Sequence, residues 1–430
     1  MSTWTTRTLG TGVGQRTRAL FLGLQWTLPA ALSSRLLCGV ATLFAARVMG
    51  PAGYGEASLA LAASLWIQVP LFLGIPTATM HYVPKAPENE KSAWIHAAMA
   101  LLAIFGILTL GGGYLFAPTW AHLQGITTHI FMWALIWSGG YALYTAGTCL
   151  VIAEEKFRRR AELEVVFAFL FAGALWLMTK LGKLQASHYI FCFGIAYGLA
   201  GLLGLGSRSK LSSASIKATH AAHALLSYGL IAAFGNVANA LLYSSGRLVA
   251  NHHLSLSEVG IVAAYQGGSI QMASFLVSIA VQVFFPLASR TPDKKVLFKK
   301  MNRVLLVGAP VSAVGFSLLQ GLYFLVLGKR YPLDAFTLSI YSLAAVLSSI
   351  YAILSWFLAA LGRRGLIAST LIGLLIGGIN IAACLIFIPI WKVAGAGMAS
   401  ALAAGAGMAI CYLPQVRHLS SEPSTLIGIS

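Results

Sequence analysis

The chain has 430 residues, of which 58% are hydrophobic and only 9% charged, whereas a soluble domain carries roughly 25% charged residues. No aqueous core could hide so much apolar surface, so a soluble globular protein is excluded and a polytopic membrane protein is expected. A net charge of +18 would suggest nucleic acid in a soluble chain, but the basic residues lie in short connections between apolar runs, so nucleic acid is excluded as a partner.

Twelve apolar runs follow one another at about 20–46, 57–83, 93–116, 129–153, 163–180, 187–206, 221–249, 258–287, 303–327, 334–361, 365–390 and 393–415. Each can span a hydrocarbon slab of ~30 Å. With no water at that depth the backbone must bond to itself, so the runs are expected to be helices. Arg7, Arg16 and Arg18 precede the first run, and Ala31-Leu32-Ser33 could pass for a signal cleavage site. The apolar character continues past Arg35 to Val48, too far for a signal segment, so no cleavage is expected. The first helix ends at Arg47-Val48-Met49-Gly50-Pro51, where Pro51 should stop it, and Gly53-Tyr54-Gly55 should form a tight turn into the second run. Arg47 is expected to anchor that turn. Pro70 and Pro76 fall in the second helix and are candidate hinges.

Orientation follows from Lys and Arg. With the N-terminus in the cytoplasm, 21 basic residues lie on the inner side, among them Arg158–Arg160, Lys294 and Lys299. Only seven lie outside: Arg47, Lys180, Lys183, Arg247, Lys329, Arg330 and Lys392. The positive-inside rule then puts both termini in the cytoplasm.

The chain looks duplicated. Ala46-Arg47-Val48 before Gly55-Glu56-Ala57 is echoed by Gly246-Arg247-Leu248 before Ser257-Glu258-Val259. The expected units are a first six-helix lobe (19–207), a polar cytoplasmic linker (208–219), a second six-helix lobe (220–415) and a cytoplasmic tail (416–430). Parallel repeats of this kind place a substrate site between the halves, near mid-membrane.

Enzymatic signatures are missing. There is no phosphate-binding G-x-x-x-x-G-K-[ST], no H-E-x-x-H and no G-x-S-x-G. Asn251-His252-His253 lacks the spacing for metal ligation on a helix. The cysteines Cys38, Cys149, Cys192, Cys384 and Cys411 all sit in apolar runs and read as small buried hydrophobes. No cofactor or metal is expected.

The polar residues inside spans carry the chemistry. Arg35 stands midway along the first helix, and no acidic residue falls near the middle of any run. A buried unpaired Arg costs at least ~3 kcal/mol there, so Arg35 should face a polar cavity or a partner, or else snorkel and bond helix carbonyls. Its planar fork suits a phosphate. Arg247, near the outer end of the seventh helix, is a second candidate. Asn236 and Asn239 on the same helix could bond across helices or to sugar hydroxyls.

The motif Arg47-x-x-Gly50-Pro51-x-x-Tyr54-Gly55, with the helix count, resembles the polysaccharide-exporter branch of the multidrug/oligosaccharidyl-lipid/polysaccharide (MOP) flippase superfamily. The resemblance implies two MATE-like lobes and a flippase moving an isoprenoid-pyrophosphate-linked oligosaccharide across a bacterial inner membrane. The product would be O-antigen, capsule or exopolysaccharide, and a polysaccharide polymerase and glycosyltransferases are candidate partners. Many such exporters resemble one another in an Asp-Arg pair late in helix seven. Here it is Gly246-Arg247, so a coupling-cation site there is in doubt. One rival is a multidrug exporter of the same superfamily, which would need a cavity carboxylate. Another is a membrane glycosyltransferase or ligase, which would need a large outer loop; every outer loop is short.

Overall fold

A computed structural model of the chain describes residues 15–154, 156–206, 217–290, 294–361 and 363–413. The regular elements among them are all helical. In chain order they are α1 (Gln15–Phe72), α2 (Ile75–Tyr82), a 3-10 turn (Val83–Lys85), α3 (Glu88–Leu115), α4 (Ala117–Leu123), α5 (Thr128–Ala153) and α6 (Phe157–Lys180). Then come α7 (Ala186–Leu205), α8 (Lys217–His253), α9 (Leu256–Gln266), a π turn (Gly267–Gln271), α10 (Met272–Arg290), α11 (Lys294–Leu327), α12 (Ala335–Ala359) and α13 (Arg363–Cys411).

Nine described helices are long and apolar enough to cross a membrane, and two of them, Gln25–Phe72 and Arg364–Cys411, are 48 residues long. Each long one is two spans joined at one non-helical residue, Gly50 in α1 and Lys392 in α13. The chain doubles back at Lys392, because Gly395 packs against the Phe387 carbonyl. With the crossing made by α9, the π turn and α10, the twelve expected spans are present. The expected tail, 416–430, lies outside the described residues, as does the expected linker up to 216; residues 217–219 already belong to α8.

The turn after the first span differs from the expected one. Gly50 alone leaves the helical region, at φ 73°. Pro51 does not merely stop the incoming helix. It opens the next one, where its missing N–H costs nothing and its fixed φ fits. Gly53 and Gly55 are helical. The second span breaks at Leu73 and Gly74, with φ 40° and 69°, between Pro70 and Pro76 rather than at either. A leucine in the left-handed region costs about 1–3 kcal/mol and survives only where its surroundings hold it.

The spans form two lobes, α1–α7 and α8–α13. In the first, α5 packs along α7 and α6 along α1; in the second, α13 packs along both α12 and α8. Small residues set these distances: Gly140 meets Gly194 and Gly147 meets Gly201, backbone to backbone. Short polar caps start several helices, including Thr127 before α5, a Ser255–Glu258 capping box on α9 and Asp334 before α12.

The lobes meet at the end of the bundle that carries residues 46–55. Gly55 and Gly260 lie so close that a Cβ on either would strike backbone of the other side. Tyr331 donates to the Ala46 carbonyl at 2.8 Å, and Arg47 to the Val326 carbonyl at 3.2 Å. Arg47 thus ties the lobes together instead of anchoring its own turn. A seam between the second half of α1 and α8 continues through Trp66, whose Nε1 donates to Ser244 Oγ at 2.9 Å, to Gly74 against Gly229.

Candidate functional site

Arg35 is exposed to solvent, yet it sits deep among the helices of the first lobe. Its side chain is accessible while helices of the first lobe surround it. No described hydrogen bond or ion pair takes its guanidinium. Its electrostatic neighbours are Tyr197 of α7, Glu164 of α6, and Tyr141 and Tyr144 of α5. The adjacent Ser33 and Ser34 hydroxyls donate back to the Ala30 and Ala31 carbonyls, so they are occupied locally.

Stacked rings fix the tyrosines. Tyr197 lies flat on Phe167, with centroids 4.0 Å apart, and Tyr141 and Tyr144 pack against Tyr197 at 5.1 and 4.9 Å. Trp137 stacks on Tyr141 at 5.0 Å. Aromatic pairs held this way present rigid hydroxyls to whatever enters. Glu164 overturns the expectation that no carboxylate lies near Arg35. The helix α6 begins at Phe157, earlier than the apolar run suggests, so Glu164 stands in its second turn. The first turn is occupied by its own ion pairs, Arg158 and Arg159 each 3.1 Å from Glu162. Neither Glu164 nor the tyrosines stood out in the sequence. Trp137, Tyr141 and Tyr144 follow helical spacing on α5, which also describes an ordinary packed face.

Arg247 is placed differently. It is 5% exposed. Nη1 donates to the Ser58 carbonyl at 3.1 Å and Nη2 to the Tyr243 carbonyl at 2.7 Å. Nη1 is thus bound to backbone across the lobe contact and Nη2 to backbone of its own helix, and only Nε lacks a partner. As placed, Arg247 is a tie between lobes and not a cavity cation.

Asn239 is exposed and lines a cavity of about 270 Å³, in the second lobe between α8, the π turn, α12 and α13. Asn236, one turn earlier, is half-buried and does not line it. Asn380, which the sequence reading passed over inside an apolar run, lines it and is 1% exposed. Among the described residues no cluster of His, Cys, Asp or Glu could hold a metal ion, and all five cysteines are free.

Against known proteins, the family model described as polysaccharide biosynthesis protein matches residues 23–292, more than half of the chain. No curated protein sequence matches. Among solved structures, the chain is similar to the lipid II flippase MurJ in an inward closed conformation, with TM-score 0.60 and 15% identity over 90% of this chain and 86% of that one. It is similar to an outward-facing multidrug resistance MATE family transporter of the MOP superfamily, with TM-score 0.61 and 12% identity over 95% of this chain and 96% of that one. At such identities the likeness concerns the fold alone.

Proposed function

Because the chain belongs to the polysaccharide biosynthesis protein family and has a fold like that of membrane transporters, we propose that it moves an isoprenoid-pyrophosphate-linked oligosaccharide across the bacterial inner membrane for O-antigen, capsule or exopolysaccharide synthesis. It works as a carrier and not as an enzyme. The observation that carries this reading is Arg35, an accessible guanidinium that no described hydrogen bond takes, set among Tyr141, Tyr144 and Tyr197. Glu164 neutralises this charge only in part; a diphosphate supplies the rest, and the planar fork of Arg binds two phosphate oxygens at once.

On the topology set by the basic residues, residues 46–55 face the periplasm and both termini face the cytoplasm. The contacts at Gly55–Gly260, Arg47–Val326 and Tyr331–Ala46 then close the outer face. Transport is alternating access: the lobes part at those contacts and release the substrate outward. The lipid tail stays in the bilayer, so only the diphosphate and sugars need a polar path.

The test is Arg35→Ala. Removing a charge from a span eases insertion, so the protein should reach the membrane at normal levels. Surface polysaccharide should disappear while lipid-linked repeats accumulate on the cytoplasmic side. Arg35→Lys should rescue only in part, since it keeps the charge and loses the fork. Normal export by Arg35→Ala would sink the reading.

One observation favours a second reading. Glu164 is a carboxylate of the kind that an exporter of cationic drugs would need. Resistance to cationic dyes that is lost in Glu164→Gln and kept in Arg35→Ala would establish it.

A further inference from the structure

We propose that the cavity of the second lobe is a subsite for the uncharged sugar units of the substrate, separate from the diphosphate site of the first lobe. This rests on the flippase reading above. The two sites are built from matching helices. The first, fourth, fifth and sixth spans supply Arg35, Tyr144, Glu164 and Tyr197 in one lobe. Their counterparts in the other supply Asn239, Tyr351, Thr370 and Ser400.

The chemistry of the two walls is opposite. Among the described residues no charged one lines the cavity of the second lobe, so neither a diphosphate nor a cationic drug finds a counter-charge there. Its polar groups are amides and hydroxyls, with Asn239, Gln266, Gln271 and Asn380 among them. Trp356 and Tyr351 add aromatic faces. Hydroxyl and amide groups beside aromatic rings suit a sugar: its hydroxyls both donate and accept, and its C–H face lies on a ring. The volume of about 270 Å³ is just below the ~300–1,000 Å³ usual for small-molecule pockets, enough for part of an oligosaccharide.

Asn380 gives the site a specific acceptor. Its Nδ2 donates to the Leu241 and Leu242 carbonyls at 3.3 and 3.2 Å. Two carbonyl partners fix which end is the nitrogen. The other end, Oδ1, is buried and has no partner. A buried acceptor in a membrane lobe is expensive to leave unpaired, and a sugar hydroxyl satisfies it. Gly235, on the same wall as Asn239, has open space where a Cβ would stand, and Ser355 and Ser369 share a hydrogen bond at 2.7 Å across the far wall.

The experiment compares two probes on purified full-length protein: the host's own lipid-linked oligosaccharide, and the same isoprenoid diphosphate without sugar. Asn239→Leu is the main variant, because Asn239 is exposed and makes no described hydrogen bond that folding needs. Asn380→Leu is the second. Both should weaken binding of the sugar-bearing probe about tenfold, the worth of one good hydrogen bond, and leave the sugar-free probe unchanged. Arg35→Ala should weaken both probes. Asn239→Leu protein that binds the sugar-bearing probe as wild type, or loses both probes equally, overturns the subsite while the Arg35 result keeps the flippase reading. Wild-type protein that binds neither probe removes the flippase reading and the subsite with it.

Discussion

Arg247 of the second lobe donates to the Ser58 carbonyl of the first at 3.1 Å, and Arg47 of the first lobe donates to the Val326 carbonyl of the second at 3.2 Å. The arginines end matching helices about 200 residues apart. Each lobe thus reaches across with the same residue from the same place. Charge-assisted bonds to backbone contribute about 1.5–3 kcal/mol each, while removing a buried arginine also relieves its desolvation. Arg247→Ala should therefore cost about 2 kcal/mol and lower the melting temperature of the purified protein. Arg47→Ala, at an exposed site, should cost less. A melting temperature unchanged in Arg247→Ala, with export lost, would return Arg247 to the list of substrate ligands.

The closed outer face depends on two glycines. A side chain at Gly260 would strike the Pro51 carbonyl, and one at Gly55 the Leu256 carbonyl. Gly260→Val should hold the lobes apart there. A cysteine placed at position 52 should then react faster with a membrane-impermeant maleimide added outside the cell, and export should fall at least about tenfold, because alternating access needs this face to close. Unchanged labelling would show that the contact is not a gate.

Glu164 partly neutralises Arg35. Removing the carboxylate should leave a stronger field for an anion. Glu164→Gln should bind sugar-free isoprenoid diphosphate a few-fold more tightly and export more slowly, since release becomes harder. Weaker binding in Glu164→Gln would mean that the carboxylate orders Arg35 instead of opposing the ligand.

Asp334 caps α12 by accepting from the Thr337 N–H at 2.8 Å and its hydroxyl at 2.7 Å. Those bonds hold its carboxyl below the usual aspartate range. A depressed carboxyl adds stability that is present above the unfolded value of 3.8 and is lost as pH falls through the lower folded one. Thermal melts should show no contribution to pH dependence from this group between pH 7 and about 5, and a decline at strongly acidic pH. Asp334→Asn keeps an acceptor and should blunt that decline; an identical profile would assign it to other groups.

The number of spans and the break at Gly50 were legible in the sequence, because a glycine before a proline interrupts a long apolar run; Arg35 stood out too, though its role did not. The hairpin echo between Arg47 and Arg247 was legible too, though not its purpose. What the sequence withheld is which face of each helix looks inward. In a soluble helix a polar stripe marks the outside. Here lipid-facing and lobe-facing surfaces are both apolar, so Tyr141, Tyr144 and Tyr197 read as packing. Asn380 sat unnoticed among Gly378, Ile379 and Ile381, because only the approach of α8 shows that its amide is half paired. Arg247 was misread for the same reason: its acceptor, the Ser58 carbonyl, is a backbone atom of another helix and leaves no mark in the sequence.

The corners at Gly50 and Lys392 each join two spans through a single residue. On the proposed topology both corners look into the periplasm. A protease or antibody given access to the periplasmic face would find almost no loop at either place, and Lys392 is further held at 3.7 Å from Glu258. The outer face is nearly bald. A tag meant for display there belongs in the connection at 181–183, which is exposed and has open space at Gly182; at residue 50 or 392 it would pry two spans apart.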